Sequence, residues 1–183
     1  MNGFLAAGAE LCRSGKYEEA SISILFLKHY REALDAGSLA RLAKWFEGGI
    51  RNWAHVDVLC AEVLAPSLAA GLFEIGALAP WRESAWKYQR RASVVALIPP
   101  PKEPSAIPPL LSYVRRLMHD PEKPVQQAVG WFLREAWKVA PKPVEAFLIE
   151  HVATAPRQIF QTATEKMSAG EKARFKKPPK QVR

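Results

Sequence analysis

Apolar residues recur along this chain at intervals of three and four. No stretch alternates apolar and polar positions between turn signals, so the pattern predicts helices and no strands. A helix through Phe4, Leu5 and Leu11 is followed by one from Lys16 to Leu34, whose apolar stripe is Ile22, Leu25, Phe26, His29 and Ala33; the two form an antiparallel pair. Asp35 and Ser38 are placed to cap a third helix through Leu39, Leu42, Ala43 and Phe46, which Gly48 and Gly49 end. Asn52 is a good cap for a fourth, in which Val56, Leu59, Cys60, Val63 and Leu64 keep helical spacing. After Ala65-Pro66 a further helix runs roughly to Ile75. Gly76 and Pro80 interrupt it, and Trp81-Arg82-Glu83-Ser84 leads into a helix from Ala85 to Ile98 that Pro99, Pro100, Pro101 and Pro104 stop.

The next helix, from Ser105 to Met118, carries Ile107, Leu110, Leu111, Val114, Leu117 and Met118 on one stripe. Pro108 and Pro109 fall in its first turn, where a missing backbone donor is tolerated. Asp120-Pro121 then opens the strongest pattern in the chain, Val125, Ala128, Val129, Phe132, Leu133 and Ala136. Pro141 and Pro143 begin a helix through Val144, Phe147, Leu148 and His151 to Val152, and a last one follows Pro156. Helices joined by short proline-marked breaks and paired over roughly 35 to 45 residues have the period of HEAT or armadillo-like repeats. The expected fold is therefore all-α, a HEAT-like helical-repeat solenoid (an α-α superhelix). An irregular helical bundle would give a similar list of helices.

Composition narrows this picture. The chain has 183 residues, 49 % of them hydrophobic, which suits one packed domain. We expect that domain over 1–167, with a basic, flexible tail over 168–183. No apolar run approaches a membrane span, and the Gly3-Phe4-Leu5-Ala6-Ala7 stretch lacks a basic leader and a cleavage site, so no membrane association is expected. The expected location is cytoplasmic, and nucleoid-associated in a bacterium. Cys12 and Cys60 are far apart and read as core thiols, while His29, His55, His119 and His151 are scattered singly. Neither a disulfide framework nor a metal site is suggested, and no cofactor is expected. A net charge of +8 and a sequence pI near 9.7 favour polyanionic partners such as nucleic acid or an acidic membrane surface. Much of that excess lies in the tail, at Lys166, Lys172, Arg174, Lys176, Lys177, Lys180 and Arg183.

Candidate chemistry begins on the fourth helix. Trp53 and Asp57 stand one turn apart at the edge of its apolar stripe, near Cys60 and Leu64, where a carboxylate is partly shielded and needs a partner. A structural ion pair and a catalytic carboxylate both fit. Lys87 and Arg91 fall on the stripe of Val94, Val95 and Ile98, so Arg91 either snorkels to water, pairs with a carboxylate such as Asp57, or meets a bound phosphate. Trp131 lies opposite the apolar stripe of its helix, among Gln127, Arg134 and Lys138. That position suits stacking beside phosphate contacts, or packing on a neighbouring repeat.

Three blocks of sequence, in order and spacing, resemble the AlkD-like family of DNA alkylation-repair glycosylases. They are Asn52-Trp53-Ala54-His55-Val56-Asp57, Trp81 with Gln89-Arg90-Arg91-Ala92, and Val125-Gln126-Gln127-Ala128-Val129-Gly130-Trp131-Phe132-Leu133-Arg134-Glu135. The resemblance runs from about Leu11 to Ala163. It implies a helical solenoid whose basic concave face holds duplex DNA and whose enzymes excise positively charged N3- and N7-alkylpurines without a cofactor. It also implies that Asp57 and Arg91 form the catalytic cleft, with Arg90 as the alternative arginine, and that Trp53 and Trp131 flank the lesion. Tyr88 stands where similar chains often have tryptophan; Lys87, Arg134 and Lys138 complete the expected DNA-binding set. Two departures are a shortened N-terminus, which leaves the first face of the stack uncapped unless the helix through Phe4 to Leu11 covers it, and Gln127, where a basic residue is frequent. The expected protein is a monomeric N-glycosylase acting on alkylated duplex DNA. The alternative is a non-catalytic helical-repeat module that recognises unusual DNA structure or a protein partner.

Overall fold

A computed structural model describes residues 1–176; Lys177, Lys180 and Arg183 of the expected tail lie outside them. The chain is all-α, built of successive packed helices, and the described residues contain no strand. Its contacts gather into two compact units, Met1–Ile98 and Pro99–Arg183, which divide at the proline run.

In the first unit α1 (Asn2–Arg13) packs on α2 (Tyr17–His29) and α3 (Ala36–Ala43). The α3 cap is as its sequence predicts: Asp35 accepts from the Ser38 amide at 2.7 Å, and Ser38 bonds back to the Asp35 amide. Gly48, at φ +76°, turns the chain after the 3₁₀ turn Lys44–Phe46, in a region that favours glycine. Trp45 is fully buried, and its indole donates to the Leu5 carbonyl at 2.8 Å, which fastens this turn to α1.

The stripe expected on α2 faces the wrong way. Ala20, Ser23, Ile24 and Leu27 are buried, whereas Ile22, Leu25 and Phe26 are 47, 57 and 52 % exposed. Both sides of this helix carry apolar residues at helical spacing. The side rich in small residues packs inward because it lets neighbouring backbones approach closely. The helix also stops at His29, with a 3₁₀ turn over Arg31–Ala33 in place of a run to Leu34.

The prolines likewise break the helices less than the sequence predicts. The helix α4 (Trp53–Leu59) passes through a π turn, Cys60–Leu64, straight into α5 (Ala65–Ala69), with no break at Pro66 and an end well before Ile75. Pro66 has no N–H, and its ring crowds the carbonyl four residues earlier. Widening the preceding turn relieves both conflicts. Pro80 sits inside a 3₁₀ stretch, Ile75–Glu83, that carries buried Trp81, whose ring meets Phe46 edge-on at 5.4 Å. Helix α6 (Lys87–Val95) then packs on α4 and on the 3₁₀ stretch.

The second unit follows its sequence pattern closely. Its elements are α7 (Ile107–Val114), α8 (Lys123–Val139), α9 (Pro141–His151) and α10 (Arg157–Ala163). All six apolar positions read on α8 are buried. Residues 168–176 also fold onto this unit. A Ser168/Glu171 capping box starts α11 (Ala169–Ala173), Phe175 is 1 % exposed, Arg157 donates to its carbonyl at 2.9 Å, and Arg174 pairs with Glu145 at 3.0 Å.

Helices α8 and α10 meet at Gly130, where an added Cβ would lie 2.6 Å from the Thr162 Cβ and 2.8 Å from the Ile159 carbonyl oxygen. Gly130→Ala should therefore destabilise the protein by about 1–3 kcal/mol even though alanine favours helix. A thermal or urea melt measures this; an unchanged midpoint would mean the two helices can separate without cost.

Candidate active site

The first turn of α4 is fixed from its cap outward. Asn52 Oδ1 accepts from the His55 amide at 2.9 Å, as the sequence predicts. That bond orients the side-chain amide so that its Nδ2 donates to His55 Nδ1 at 2.9 Å. With Nδ1 accepting, the ring proton sits on Nε2 and points at Ser21 Oγ, 3.0 Å away on α2. Ser21 passes its own proton to the Tyr17 carbonyl at 2.9 Å, and the Tyr17 ring stacks on His55 with centroids 4.3 Å apart. Serine, histidine and asparagine are adjacent, but the hydrogen bonds run in the wrong direction for a nucleophile, because His55 donates to the serine where a base would accept. What the chain of bonds does is lock the start of α4 to α2.

Burial pushes the pKa of His55 below its ordinary value of 6.5, and that of His151 in the second unit shifts the same way for the same reason. The unfolded chain therefore takes up protons on these rings before the folded one does. Their neutral forms stabilise the fold fully above pH 6.5, and that stability is lost as pH falls below it. Thermal midpoints measured from pH 7.5 down to 5 should decline, and His55→Gln should flatten the part that belongs to the first unit. An identical slope in the variant would contradict the burial-lowered pKa of His55.

One turn beyond the cap, Asp57 reaches α6. Arg91 Nε donates to Asp57 Oδ1 at 2.9 Å and Arg91 Nη2 to Oδ2 at 2.8 Å, a two-pronged pair of the strong, planar kind. The arginine side chain is 6 % exposed and the aspartate 20 %, so the pair turns its negative end toward solvent. Of the three fates read for Arg91 in the sequence, pairing with Asp57 is the one the structure adopts. Buried this deeply, its guanidinium orients the carboxylate. Next to the pair, Cys60 Sγ donates to the Ala92 carbonyl at 3.5 Å, and burial, with the Asp57 charge adding to it, pushes the thiol well above its usual range. Both cysteines are core thiols, with Cys12 pushed up to about 12, and neither is a nucleophile at neutral pH.

One turn before the Asp57–Arg91 pair stand Trp53 on α4 and Lys87 on α6. Trp53 is 63 % exposed, far more open than a position at the edge of the apolar stripe implies. The Lys87 ammonium lies 5.9 Å from the Tyr88 ring centroid. Arg90 is directed elsewhere: its Nη1 donates to the Ser84 and Ala85 carbonyls at 2.7 and 3.2 Å, which staples the turn leading into α6. Periodicity does not single out Trp86. It is the N-cap residue of α6 and 45 % exposed, and the only signal for it was a large aromatic directly ahead of a basic helix.

In the second unit Trp131 is half-buried, on the side of α8 that also carries exposed Gln127 and Lys138. Arg134 spends its donors on acids, with Nε on Glu135 at 3.0 Å and Nη1 on Glu165 at 2.5 Å. Lys138 closes on Glu135 at 2.5 Å. These cations form a network with two carboxylates, so their positive field is weaker than a count of basic residues implies.

Among the described residues no group of three or more histidine, cysteine, aspartate or glutamate side chains could hold a metal, and no helix is long and apolar enough to cross a membrane. Fold and site together define an all-helical protein that presents a paired, outward-facing carboxylate beside an exposed tryptophan. The chain belongs to the DNA alkylation repair enzyme family, whose profile matches residues 4–167. Comparison with curated proteins and with solved structures gave no match.

Proposed function

We propose that this protein is a DNA N-glycosylase that hydrolyses the glycosidic bond of positively charged N3- or N7-alkylated purines in duplex DNA. The observation that carries the reading is the orientation of the Asp57–Arg91 pair, anchored at its cationic end and open at its anionic end. An alkylated purine already bears a positive charge, so it departs as a neutral base without a general acid. The group that needs stabilising is the oxocarbenium-like sugar left at C1′. A carboxylate has roughly four lone-pair directions, and the two Arg91 bonds occupy two of them. The others face the developing cation and the water that adds to it. Water then supplies hydroxyl to C1′ and releases its proton to solvent.

Trp53 sits a turn away and offers an electron-rich face to the cationic nucleotide. In this reading Arg91 is a positioning residue, Lys87 and Tyr88 beside it contact DNA from the first unit, and Trp131, Arg134 and Lys138 contribute DNA contacts from the second. The test is direct: incubate the full chain with duplex containing 7-methylguanine and quantify free base. Release well above the spontaneous rate supports the assignment. Tight duplex binding with no release would instead identify a non-catalytic DNA-binding module.

A further inference from the structure

Helix α8 carries Gln127, Trp131, Arg134 and Lys138 at intervals of four, three and four, a single stripe on the side away from its buried apolar positions. Both cations of the stripe are engaged by acids, and the two acids differ. Glu135 belongs to α8 itself, is 21 % exposed, and accepts from Arg134 Nε at 3.0 Å and from Lys138 at 2.5 Å. Held at Nε, the guanidinium has its plane fixed. Glu165 comes from the turn after α10, is 50 % exposed, and accepts from Arg134 Nη1 at 2.5 Å. Nη2 has no partner among the described residues. The Nη1–Nη2 edge is one that a phosphate grips with two parallel bonds, and here a mobile carboxylate holds one prong of it.

We propose that Glu165 is a stand-in for a DNA backbone phosphate. It occupies Arg134 in the free protein and yields that place when a duplex docks, so Arg134 grips phosphate only after an internal carboxylate has left. This rests on the duplex-binding part of the reading above and is independent of the reaction at Asp57.

The exchange costs little. An ion pair whose acid is half-exposed contributes little to stability. Lys166 Nζ already lies 3.6 Å from the Glu165 carboxylate and receives it on release. Lys172 donates to the Glu165 carbonyl at 3.1 Å, so the side chain swings while its turn keeps its place. Glu135, more enclosed and shared between two cations, stays and keeps the guanidinium oriented. The hydrogen bond and charge of Arg134 hold the Glu165 carboxyl below its ordinary range, so it is ionised at neutral pH. A lone small anion gains too little to displace it, whereas a duplex, with one charge about every 1.7 Å of axis, does. Because Arg134 and Glu165 together carry no net charge, their contact with phosphate releases few counterions; without the acid it releases about one more.

Fluorescence anisotropy of a short labelled, undamaged duplex, titrated with the full chain at several salt concentrations, tests this. Glu165→Gln is expected to tighten binding about three- to tenfold at low salt and to steepen the dependence of log K on log salt by about one. Glu165→Ala, which frees Arg134 without leaving an amide in place, should act the same way. Arg134→Gln is expected to weaken binding, and adding Glu165→Gln to it should bring little gain, since the acid then has no cation to mask. Melts of each variant check that the fold is kept. An equal gain from Glu165→Gln with and without Arg134 would overturn the proposal, marking a general effect of charge, and so would no gain or a loss. A wild-type chain that binds no duplex would overturn the duplex-binding reading as well.

Discussion

Asp57→Asn protein should bind alkylated and undamaged duplex nearly as well as the wild type, yet release 7-methylguanine at least about 10²-fold more slowly. The substitution removes the charge facing the sugar and leaves phosphate contacts in place. Asparagine keeps the size of the side chain and one acceptor for Arg91, so the fold should lose no more than about 1–3 kcal/mol. Parallel melts show whether any lost activity comes from lost structure. Wild-type rates in the folded variant would remove Asp57 from the chemistry and reduce the pair to a tie between α4 and α6.

Arg91→Met should have the larger effect on stability. Methionine keeps much of the arginine stem's volume but leaves the Asp57 carboxylate without its counter-charge, in a site where it is only 20 % exposed. Breaking a pair of this kind from one side costs about 3–5 kcal/mol, and the low end applies here because the carboxylate keeps some water. The double variant Asp57→Leu/Arg91→Met should recover most of the lost stability, since an apolar pair of similar size needs no solvation. It should release no base. Recovery of stability without recovery of activity separates the pair's two duties, anchoring two helices and presenting a negative charge. Recovery of both would contradict the proposed chemistry.

Helix positions were largely legible because burial imposes a period of 3.6 residues wherever only one side of a helix is apolar. On α8, Val125 through Ala136 could be read in no other register, and all of them are buried. Caps were legible for a local reason, since Asp35 with Ser38 and Asn52 with His55 satisfy backbone donors within their own turn. The α2 register failed because both sides of that helix are apolar. The choice between them belonged to α1 and α4, which pack against it. Pro66 and Pro80 failed for a related reason. A proline forbids an ideal α-helical turn, but a π turn or a 3₁₀ stretch absorbs it when the neighbouring packing rewards continuity.

The amino-acid sequence by itself determined that this protein is helical, where most helices begin, that Cys12 and Cys60 are core thiols, and that Asp57 needs a partner. Those properties depend on neighbours within a turn or two. Only the tertiary structure decided that the partner is Arg91, that the pair exposes its carboxylate end, and which side of α2 is left open. Each of these joins residues about thirty positions apart or selects between two equally apolar faces, and local periodicity carries no information about distances across the fold.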